Sequence, residues 1–507
     1  MGCCRLVVGL DERVSDIDPN IFGHFIEHLG RCIYHGIWVG RGSDIPNIDG
    51  LRMDVVEAFR SIGVPIIRWP GGCFADTYHW MDGVGPVERR PRRVNIWWGG
   101  EETNEFGTDE FIKLCRLVGA EPYICVNVGS GSPEEAAAWL EYCNYTGGSR
   151  YARLRVENGY PEPYRVRYWG VGNESWGCGG SFDPVYYAWE YRRFATFLKQ
   201  TDPSVKLVAC GHTSTDWNLR LMESLRNFIH LIDYLSIHYY FFRNHQRYGG
   251  DVDFTDEQYL NLLFDIQHLE YEIKQAISIV DFFSEGRKDV WIAVDEWGVW
   301  HPQATTENGL YQQNTLRDAI LAASILNLFI KYSRRVRMAN IAQAVNVLQS
   351  ICLTRGRDTV LTPTYHVFKL YKPHIAGIAL GTRVESPVIK EPSRDDFVGL
   401  RGVRRRLESL KAIDASASID LNSSRLVITI VNRSLDEDID IEVVVNGGYR
   451  IAESEYAYIT SKSVRSYNDF DTPNNIRITE ESIDIKSNRF TLNLQKHSIN
   501  RLILKLS

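Results

Sequence analysis

The sequence lacks several features that would assign it to a broad class of proteins. In 507 residues there is no run of about 18 apolar residues, so no segment is predicted to span a membrane. The first residues lack a basic segment followed by an apolar one, so we expect no secretory signal and a cytoplasmic protein. Asp and Glu (64) outnumber Lys and Arg (57), and the formal net charge of −7 argues against nucleic-acid binding.

Motifs that would indicate other chemistries are also missing. The ten cysteines include no Cys-x-x-Cys pair and are too sparse for a disulfide scaffold, so we expect reduced thiols packed in the core. There is no Gly-x-Ser-x-Gly sequence and no phosphate-binding Gly-x-x-x-x-Gly-Lys loop. His24, His28 and His35 have no second ligand cluster beside them, so core or substrate-binding roles are favoured over a metal site. We therefore predict neither a metal nor a cofactor.

Eight apolar segments bounded by turn residues alternate with stretches of helical spacing. The predicted strands are residues 21–28, 64–69, 121–128, 164–173, 205–211, 233–240, 290–296 and 340–348. Helical spacing is clear at 53–60, 134–140 and 315–332, and Ser132 followed by Pro133 is typical of a helix start. This alternation predicts an α/β fold, a (β/α)₈ TIM barrel over residues 17–375.

The pattern changes after about residue 376. Alternating segments separated by Asn, Gly, Asp and Ser turns lie at 425–432, 438–446, 454–460, 477–479, 482–485, 489–494 and 500–506. They predict a C-terminal antiparallel β-sandwich, of jelly-roll type, over residues 376–507. A strand within residues 1–16 is a candidate to join it. The cluster of four arginines at 401–406 is interpreted as a solvated face or an interface.

Two glutamates close predicted barrel strands. Glu174 ends the fourth strand and Glu296 the seventh, and Trp176 and Trp297 follow them within two residues. Active sites of such barrels lie at the carboxyl ends of the strands, and two carboxyl groups facing each other there suit glycoside hydrolysis. The sequence leaves open whether Asp295 or Glu296 faces inward, because neighbouring residues of a strand point to opposite sides.

Aromatic residues make up 12% of the chain, including 13 Trp. A sugar-stacking site would account for part of this excess. The aromatic residues that we place at or near the barrel mouth are Trp69, Trp98, Trp176, Trp297, Trp300, Tyr239 and Tyr240.

The segments at these strand ends resemble one enzyme family. They are 23–30 (Gly-His-Phe-Ile-Glu-His-Leu-Gly), 68–76 (Arg-Trp-Pro-Gly-Gly-Cys-Phe-Ala-Asp), 172–177 (Gly-Asn-Glu-Ser-Trp-Gly) and 295–297 (Asp-Glu-Trp). Together they are similar to the α-L-arabinofuranosidases of glycoside hydrolase family 51, and the similarity extends along the whole barrel.

The resemblance implies an exo-acting, retaining enzyme that releases terminal α-L-arabinofuranosyl residues by double displacement. Glu174 would be the general acid/base and Glu296 the nucleophile. The residues that would bind the furanose are Glu27, Arg68, Cys73, Trp98, Asn173, Tyr240 and Gln343. The family also implies that the chain assembles into a homo-oligomer, a hexamer.

Several alternatives remain at this point. The enzyme could be a retaining glycosidase of other specificity, an endo-glucanase or a xylan-active enzyme, or the barrel could be a sugar-binding protein without activity. Arg68 could be a structural ion pair, Cys73 a buried thiol, and Tyr239 fits the sixth strand end as well as Tyr240 does.

Overall fold

The computed structural model describes residues 4–394, 396–398 and 405–507. Of the predicted arginine cluster, residues 401–404 lie outside the described residues, as do the first three residues of the predicted N-terminal strand. Arg405 and Arg406 are exposed and pair with Phe397–Val398 in a short antiparallel ladder.

Eight parallel strands close into a barrel, which confirms the predicted TIM barrel. In chain order, and called the first to eighth barrel strands below, they are Gly23–Phe25, Ile66–Trp69, Glu121–Val126, Tyr168–Val171, Lys206–Ala209, Tyr234–Phe242, Trp291–Trp300 and Val336–Ala342. The eighth strand begins and ends earlier than predicted, so Gln343 lies beyond its end. The start of this strand was not predicted because the charged residue Arg337 interrupts its apolar pattern. In the structure the Arg337 guanidinium donates a hydrogen bond to the Asp16 carbonyl (2.9 Å).

Helices follow the barrel strands, and several of them begin or end at residues that are typical of helix boundaries. Their bounds are Met53–Ile62, Thr108–Val118, Pro133–Asn144, Arg150–Glu157, Pro184–Thr201, Thr215–Leu225, His245–Tyr248, Asp256–Phe264, Ile266–Ser284, Leu316–Lys331 and Pro363–Tyr371. The Ser132 hydroxyl accepts a hydrogen bond from the Glu135 backbone N–H (3.1 Å), as the predicted cap requires. Gly63 and Gly119 end their helices in the left-handed region, at φ 70° and 79°.

The C-terminal strands and the N-terminal strand form one nine-stranded sheet with its own apolar core, the predicted sandwich. From edge to edge its strands are Thr479–Glu481, Ile451–Ile459, Ser498–Leu506, Arg425–Asn432, Ile413–Asp420, Ile378–Glu385, Cys4–Asp16, Ile439–Asn446 and Arg489–Leu494. The ladders are antiparallel except that Cys4–Asp16 runs parallel to Ile439–Asn446. Ile378–Glu385 and Ile413–Asp420 were not predicted, because Gly, Ser and Asp residues weaken their apolar alternation. We keep the division into residues 17–375 and 376–507, with the N-terminal strand assigned to the sheet, as a proposal.

One helix joins the barrel to the sheet. Every residue of Leu316–Lys331 from 316 to 330 is buried, because one side of the helix covers the barrel and the other lies against Ile413–Asp420 and Arg425–Asn432. A helix that is apolar on all sides is typical of such an interior position.

Asn327 of this helix is the centre of a buried polar network. Its Oδ1 accepts hydrogen bonds from the hydroxyls of Tyr371 (2.8 Å), Ser416 (2.7 Å) and Thr429 (3.1 Å). Its Nδ2 donates to Asp414 Oδ2 (2.9 Å). Because three of these partners lie on the sheet side, the amide couples the sheet to the barrel.

We expect Asn327→Leu to lower the free energy of unfolding by about 2–3 kcal/mol, because buried hydroxyls lose their acceptor. The measurement is the urea unfolding midpoint by circular dichroism. Asn422→Leu is the matched control, since Asn422 is exposed in the turn after Ile413–Asp420. Equal midpoints for the two variants would contradict this role of Asn327.

Within the described part of the chain, none of the helices is both long enough and apolar enough to cross a bilayer.

Candidate active site

The two predicted catalytic carboxyl groups meet at the carboxyl end of the barrel. Glu174 follows the fourth barrel strand and Glu296 lies within the seventh. One oxygen of each lies within 4.8 Å of the other, with a nitrogen of His238 inside the same distance. Such a short separation fits the spacing of about 5–5.5 Å that retaining glycosidases use, rather than the wider gap of inverting ones.

Arg68, at the end of the second barrel strand, links the groups of the site. Its guanidinium donates to Glu296 Oε1 (2.6 Å) and to Asn173 Oδ1 (2.6 Å), and its Nε lies 3.5 Å from Asp295 Oδ2. The side chain is 1% exposed and its guanidinium carbon stands 4.7 Å from the centre of the Phe25 ring. Charge-assisted bonds from a rigid planar group therefore fix the direction of Glu296 and Asn173.

A bulge in the seventh strand turns both Asp295 and Glu296 toward the barrel interior. Ser236 pairs with Ala293, but His238, two residues later, pairs with Glu296, three residues later. The extra residue breaks the alternation of side chains that a regular strand would impose. This answers the question of which carboxyl faces inward: both do.

Tyr240 of the sixth strand completes the setting of Glu296. Its hydroxyl donates to Glu296 Oε2 (2.8 Å), and its ring lies 5.6 Å from that of Trp300. Tyr239 instead packs edge to face against Phe241 (5.2 Å). Of the two tyrosines, Tyr240 is the one that reaches the nucleophile candidate.

His238 is a buried cation between three carboxylates. Its Nδ1 lies 3.0 Å from Glu174 Oε1, and its Nε2 lies 3.3 Å from Asp295 Oδ1. Burial alone would lower the pKa of His238, but Glu296, Asp295 and Glu174 raise it to about 10. Burial would in turn raise the pKa of Asp295, but Arg68 and His238 lower it to about 2. Opposite charges thus stabilise each other throughout this part of the site.

Glu27 lies at the bottom of the pocket. Its Oε1 accepts from Trp98 Nε1 (2.9 Å) and the Phe74 backbone N–H (3.1 Å), and its Oε2 accepts from Gln343 Nε2 (3.0 Å). Burial, followed by the charge of Glu296, raises the pKa of Glu27 to about 7. Among the described residues the buried Gln343 Oε1 has no hydrogen-bond partner.

Two residues of the 68–76 motif shape this pocket. A Cβ at Gly72 would lie 2.4 Å from Glu27 Oε1, so only glycine fits there. Asp76 Oδ2 accepts from the Asn173 backbone N–H (3.0 Å), and its Oδ1 accepts from the Val128 N–H (2.8 Å). Asp76 therefore ties the loop after the second strand to the ends of the third and fourth.

The prediction of reduced core thiols is wrong for two cysteines. Cys73 and Cys178 form a disulfide between the loops after the second and fourth strands, and both are half-buried at the pocket. The other described cysteines are buried, as predicted. A disulfide sulfur has no proton, so Cys73 in this form has no S–H to donate to a sugar. A sequence separation of 105 residues hides the pairing from sequence analysis.

Comparisons with known proteins agree with this geometry. The family models for the α-L-arabinofuranosidase 1 domain and the α-L-arabinofuranosidase C-terminal domain match residues 58–258 and 295–498. The chain is 40% identical over 507 residues, 99% of its length and 95% of the relative's, to a protein of Bacteroides ovatus named intracellular exo-α-L-arabinofuranosidase. The chain belongs to the α-L-arabinofuranosidases of glycoside hydrolase family 51. The predicted family and enzyme class, a glycoside hydrolase, are confirmed.

Solved structures show the same relationship. A family 51 arabinofuranosidase from Xanthomonas axonopodis pv. citri superimposes with a TM-score of 0.89 at 36% identity, covering 99% of this chain and 100% of that one. An α-L-arabinofuranosidase from Thermotoga maritima, solved as an arabinose complex, gives a TM-score of 0.88 at 36% identity with the same coverage.

The aromatic residues only partly occupy the predicted mouth. Trp69 and Trp297 are fully buried in the core, which corrects their placement. Their rings pack in the layer between barrel and helices, because residues on a strand alternate between the two sides of the barrel wall. Trp98 reaches Glu27, Trp300 contacts Tyr240, and Trp176 stacks on His212 at 4.0 Å.

The three histidines considered as metal ligands lie elsewhere. His24 is buried against Phe368, at 4.6 Å between ring centres, and burial lowers its pKa to about 3. His28 bonds to Glu102 (2.8 Å), and His35 is exposed.

Two groups of described side chains have the spacing of metal ligands: Cys73, Glu174 and Cys178, and Glu174, His238 and Glu296. In the first group the sulfurs are joined to each other. In the second, the protonated His238 has no lone pair to offer. Neither arrangement, as it stands, offers a full set of donors to an ion.

Sequence reasoning missed two residues of the site, His238 and Asp76, and left the direction of Asp295 open. Asp76 stands in the 68–76 segment and His238 in the predicted strand 233–240, so position gave a signal. The direction of these side chains depends on the bulge and on loop pairing.

We expect the stability that His238 provides to depend on pH. Its ordinary pKa of 6.5 rises to about 10 on folding, so the stabilisation is complete below pH 6.5 and is lost as pH rises through 10. His238→Asn should therefore lower the thermal midpoint most in acid, with the difference from the unmodified protein narrowing toward pH 10. His35→Asn serves as control, because His35 is exposed at a left-handed φ of 64° that Asn accepts. A difference that does not change with pH would rule out this charge assignment.

Proposed function

We propose that this protein is an exo-acting, retaining α-L-arabinofuranosidase with Glu174 as general acid/base and Glu296 as nucleophile. The observation that supports it is the pair of carboxyl oxygens that lie within 4.8 Å of each other at the carboxyl end of the barrel. The substrates would be arabinose-containing oligosaccharides and hemicellulose or pectin fragments with terminal non-reducing α-L-arabinofuranosyl residues.

In the first step Glu296 Oε attacks the anomeric carbon while Glu174 gives its proton to the leaving oxygen. A covalent glycosyl-enzyme forms and the aglycone departs with that proton. In the second step Glu174 takes a proton from water, which attacks the same carbon and releases Glu296. Two inversions give net retention of configuration.

The surroundings of the two carboxyls support these different roles. Glu296 accepts from Arg68 and Tyr240, which hold it as an aimed anion. Glu174 is more exposed, with 22% of its side chain accessible against 7% for Glu296, as a group that must exchange protons with water requires. His238 contacts both sides and can balance charge as the proton moves.

The remaining predicted residues are proposed to bind the sugar. Asn173 Oδ1 is held by Arg68, which leaves its Nδ2 to the sugar's 2-hydroxyl, where bonds strengthen in the transition state. Glu27 and Gln343 offer oxygens at the pocket floor, and Trp98 stands beside Glu27. Cys73 lies at the pocket edge within its disulfide.

Exo action is proposed over the endo-acting alternative. The relative named exo-α-L-arabinofuranosidase supports this choice. The two carboxyl groups at catalytic spacing argue against the other alternative, a sugar-binding barrel without activity.

We also propose a cytoplasmic homo-oligomer, a hexamer. The relative named intracellular supports the location. An exposed apolar stripe on helix Pro184–Thr201, formed by Val185, Tyr186, Trp189 and Phe197, is the kind of surface that self-association covers. Sedimentation of the purified protein measures the assembly state directly.

We expect Glu296→Ala to reduce kcat on an aryl α-L-arabinofuranoside by roughly four to six orders of magnitude, because the covalent step is lost. Proton NMR of the unmodified enzyme should show the α-anomer as the first product. Activity of the variant within about tenfold of the unmodified enzyme would remove Glu296 from this role.

Glu174→Ala should lose activity by about 10²- to 10⁴-fold on substrates with poor leaving groups and much less on a dinitrophenyl arabinofuranoside. Azide should restore turnover of the activated substrate and yield the α-azide, because the azide anion attacks the glycosyl-enzyme and displaces Glu296 without the base catalysis that water needs. Glu453→Ala, on the exposed face of the sheet, is the control. Failure of azide to accelerate the variant would count against the acid/base assignment.

A further inference from the structure

The disulfide Cys73–Cys178 lies against the catalytic machinery. Cys73 begins the short helix after the second barrel strand, and Cys178 follows Glu174 by four residues. The Cys178 Sγ stands 3.9 Å from Glu174 Oε2 and 3.8 Å from Asn173 Nδ2. A change in the chemical state of this sulfur therefore changes the immediate surroundings of the acid/base.

Solvent can reach this pair, whereas the other described cysteines are shielded. Cys73 and Cys178 are half-buried at the barrel mouth. The remaining seven described cysteines are buried, and burial raises the pKa of Cys32 and of Cys125 to about 12. Thiol–disulfide exchange needs access and a thiolate, so it is directed to the Cys73–Cys178 pair.

The two loops do not depend on the disulfide for their placement. Asp76, in the same short helix as Cys73, accepts from the backbone N–H groups of Asn173 (3.0 Å), Val128 (2.8 Å) and Gly129 (3.0 Å). These bonds hold the helix to the loop that carries Glu174. Opening the disulfide thus alters the chemistry at Glu174 more than its position.

We propose that Cys73 and Cys178 are a reversible dithiol–disulfide pair that adjusts the acid/base Glu174, with the disulfide extending activity to higher pH than the dithiol. This inference rests on the proposed role of Glu174. In the disulfide neither sulfur has a proton. In the dithiol the Cys178 S–H donates toward Glu174 Oε2, which stabilises the carboxylate form, so the protonated Glu174 that the leaving group needs is less populated at high pH.

The exchange is balanced with a low-molecular-weight thiol as reductant. Its thiolate attacks one sulfur, the Cys73–Cys178 bond breaks, and a mixed disulfide forms with one protein thiol released. A second reductant thiolate displaces the other sulfur, giving two protein thiols and one small-molecule disulfide. Two electrons pass to the protein, and the reverse reaction uses the small-molecule disulfide as oxidant. Disulfides of cytosolic proteins are usually catalytic or redox-sensing, which fits the proposed location.

Other groups around Glu174 are the same in both states, so a difference in pH dependence can be assigned to the sulfur. The titratable groups that face Glu174 are His238, Glu296, Tyr240, Cys210, Cys178 and Cys73. Of these only the two disulfide sulfurs change on reduction.

The test equilibrates the unmodified full-length enzyme in glutathione buffers from oxidising to reducing. Accessible thiols are counted with a chromogenic disulfide, and kcat/KM on an aryl α-L-arabinofuranoside is measured across pH. We expect two more reactive thiols in the reduced form, a basic limb of the pH profile lower by about 0.4 to 1 pH unit, and about a two- to tenfold lower kcat/KM on that limb, the size of one hydrogen bond.

Variants separate the donor effect from loop tethering. Within a Cys73→Ala background, whose own kcat/KM is the reference, Cys178→Ser keeps a hydroxyl donor and should have its basic limb at lower pH than Cys178→Ala, by the same interval as between the reduced and oxidised enzyme. Neither double variant should respond to glutathione. Cys115→Ala, in the buried helix Thr108–Val118, should respond as the unmodified enzyme does.

The proposal would be overturned if the oxidised and reduced enzyme differ by two thiols but have the same pH profile. A thiol count that does not change on reduction would also overturn it. If neither form turns over the arabinofuranoside, the proposed function fails instead, and thiol counting still reports whether the pair is reversible.

Discussion

The site depends on one buried guanidinium. Arg68 bonds to Glu296 and Asn173 and lies beside Asp295, so it joins the second, fourth and seventh strands at the point where chemistry is proposed. The Arg68 side chain is 1% exposed, and a cation buried to this degree is stable only if anions and hydrogen-bond acceptors surround it. The guanidinium in turn keeps these carboxylate and amide groups close together. The candidate site is therefore built around a charge that is itself almost fully buried.

Much of this arrangement follows from the sequence because strand order determines it. Parallel strands in a closed barrel present their carboxyl ends at one edge, so Glu27, Arg68, Asn173 and Glu296 had to converge once their strands were recognised. Each of the eight barrel strands overlaps an apolar segment that the sequence predicted, although the eighth begins and ends earlier. The resemblance to family 51 supplied the roles, and the geometry makes those roles physically reasonable.

Features that depend on one extra residue in a strand, or on pairing between residues far apart in the chain, could not be predicted from the sequence. The bulge between Ala293 and Glu296 reverses the direction of a side chain without any signature residue. The Cys73–Cys178 bond spans 105 residues. Trp297 was placed at the barrel mouth because it follows Glu296. The seventh strand, however, continues to Trp300, and the Trp297 side chain points into the core. In each case the path of the backbone, rather than the type of residue, determines where the side chain lies.

The position of the N-terminal strand has a consequence for how the chain reaches its final form. Cys4–Asp16 lies inside the nine-stranded sheet, between Ile378–Glu385 and Ile439–Asn446. This strand thus has its ladder partners more than 350 residues further along the chain, at Ile378 and beyond. The barrel can close on contacts closer in sequence before this strand is paired, and the sheet is complete only after Ser498–Leu506, its last strand, has been synthesised. Folding of the sheet thereby fixes the position of Cys4–Asp16.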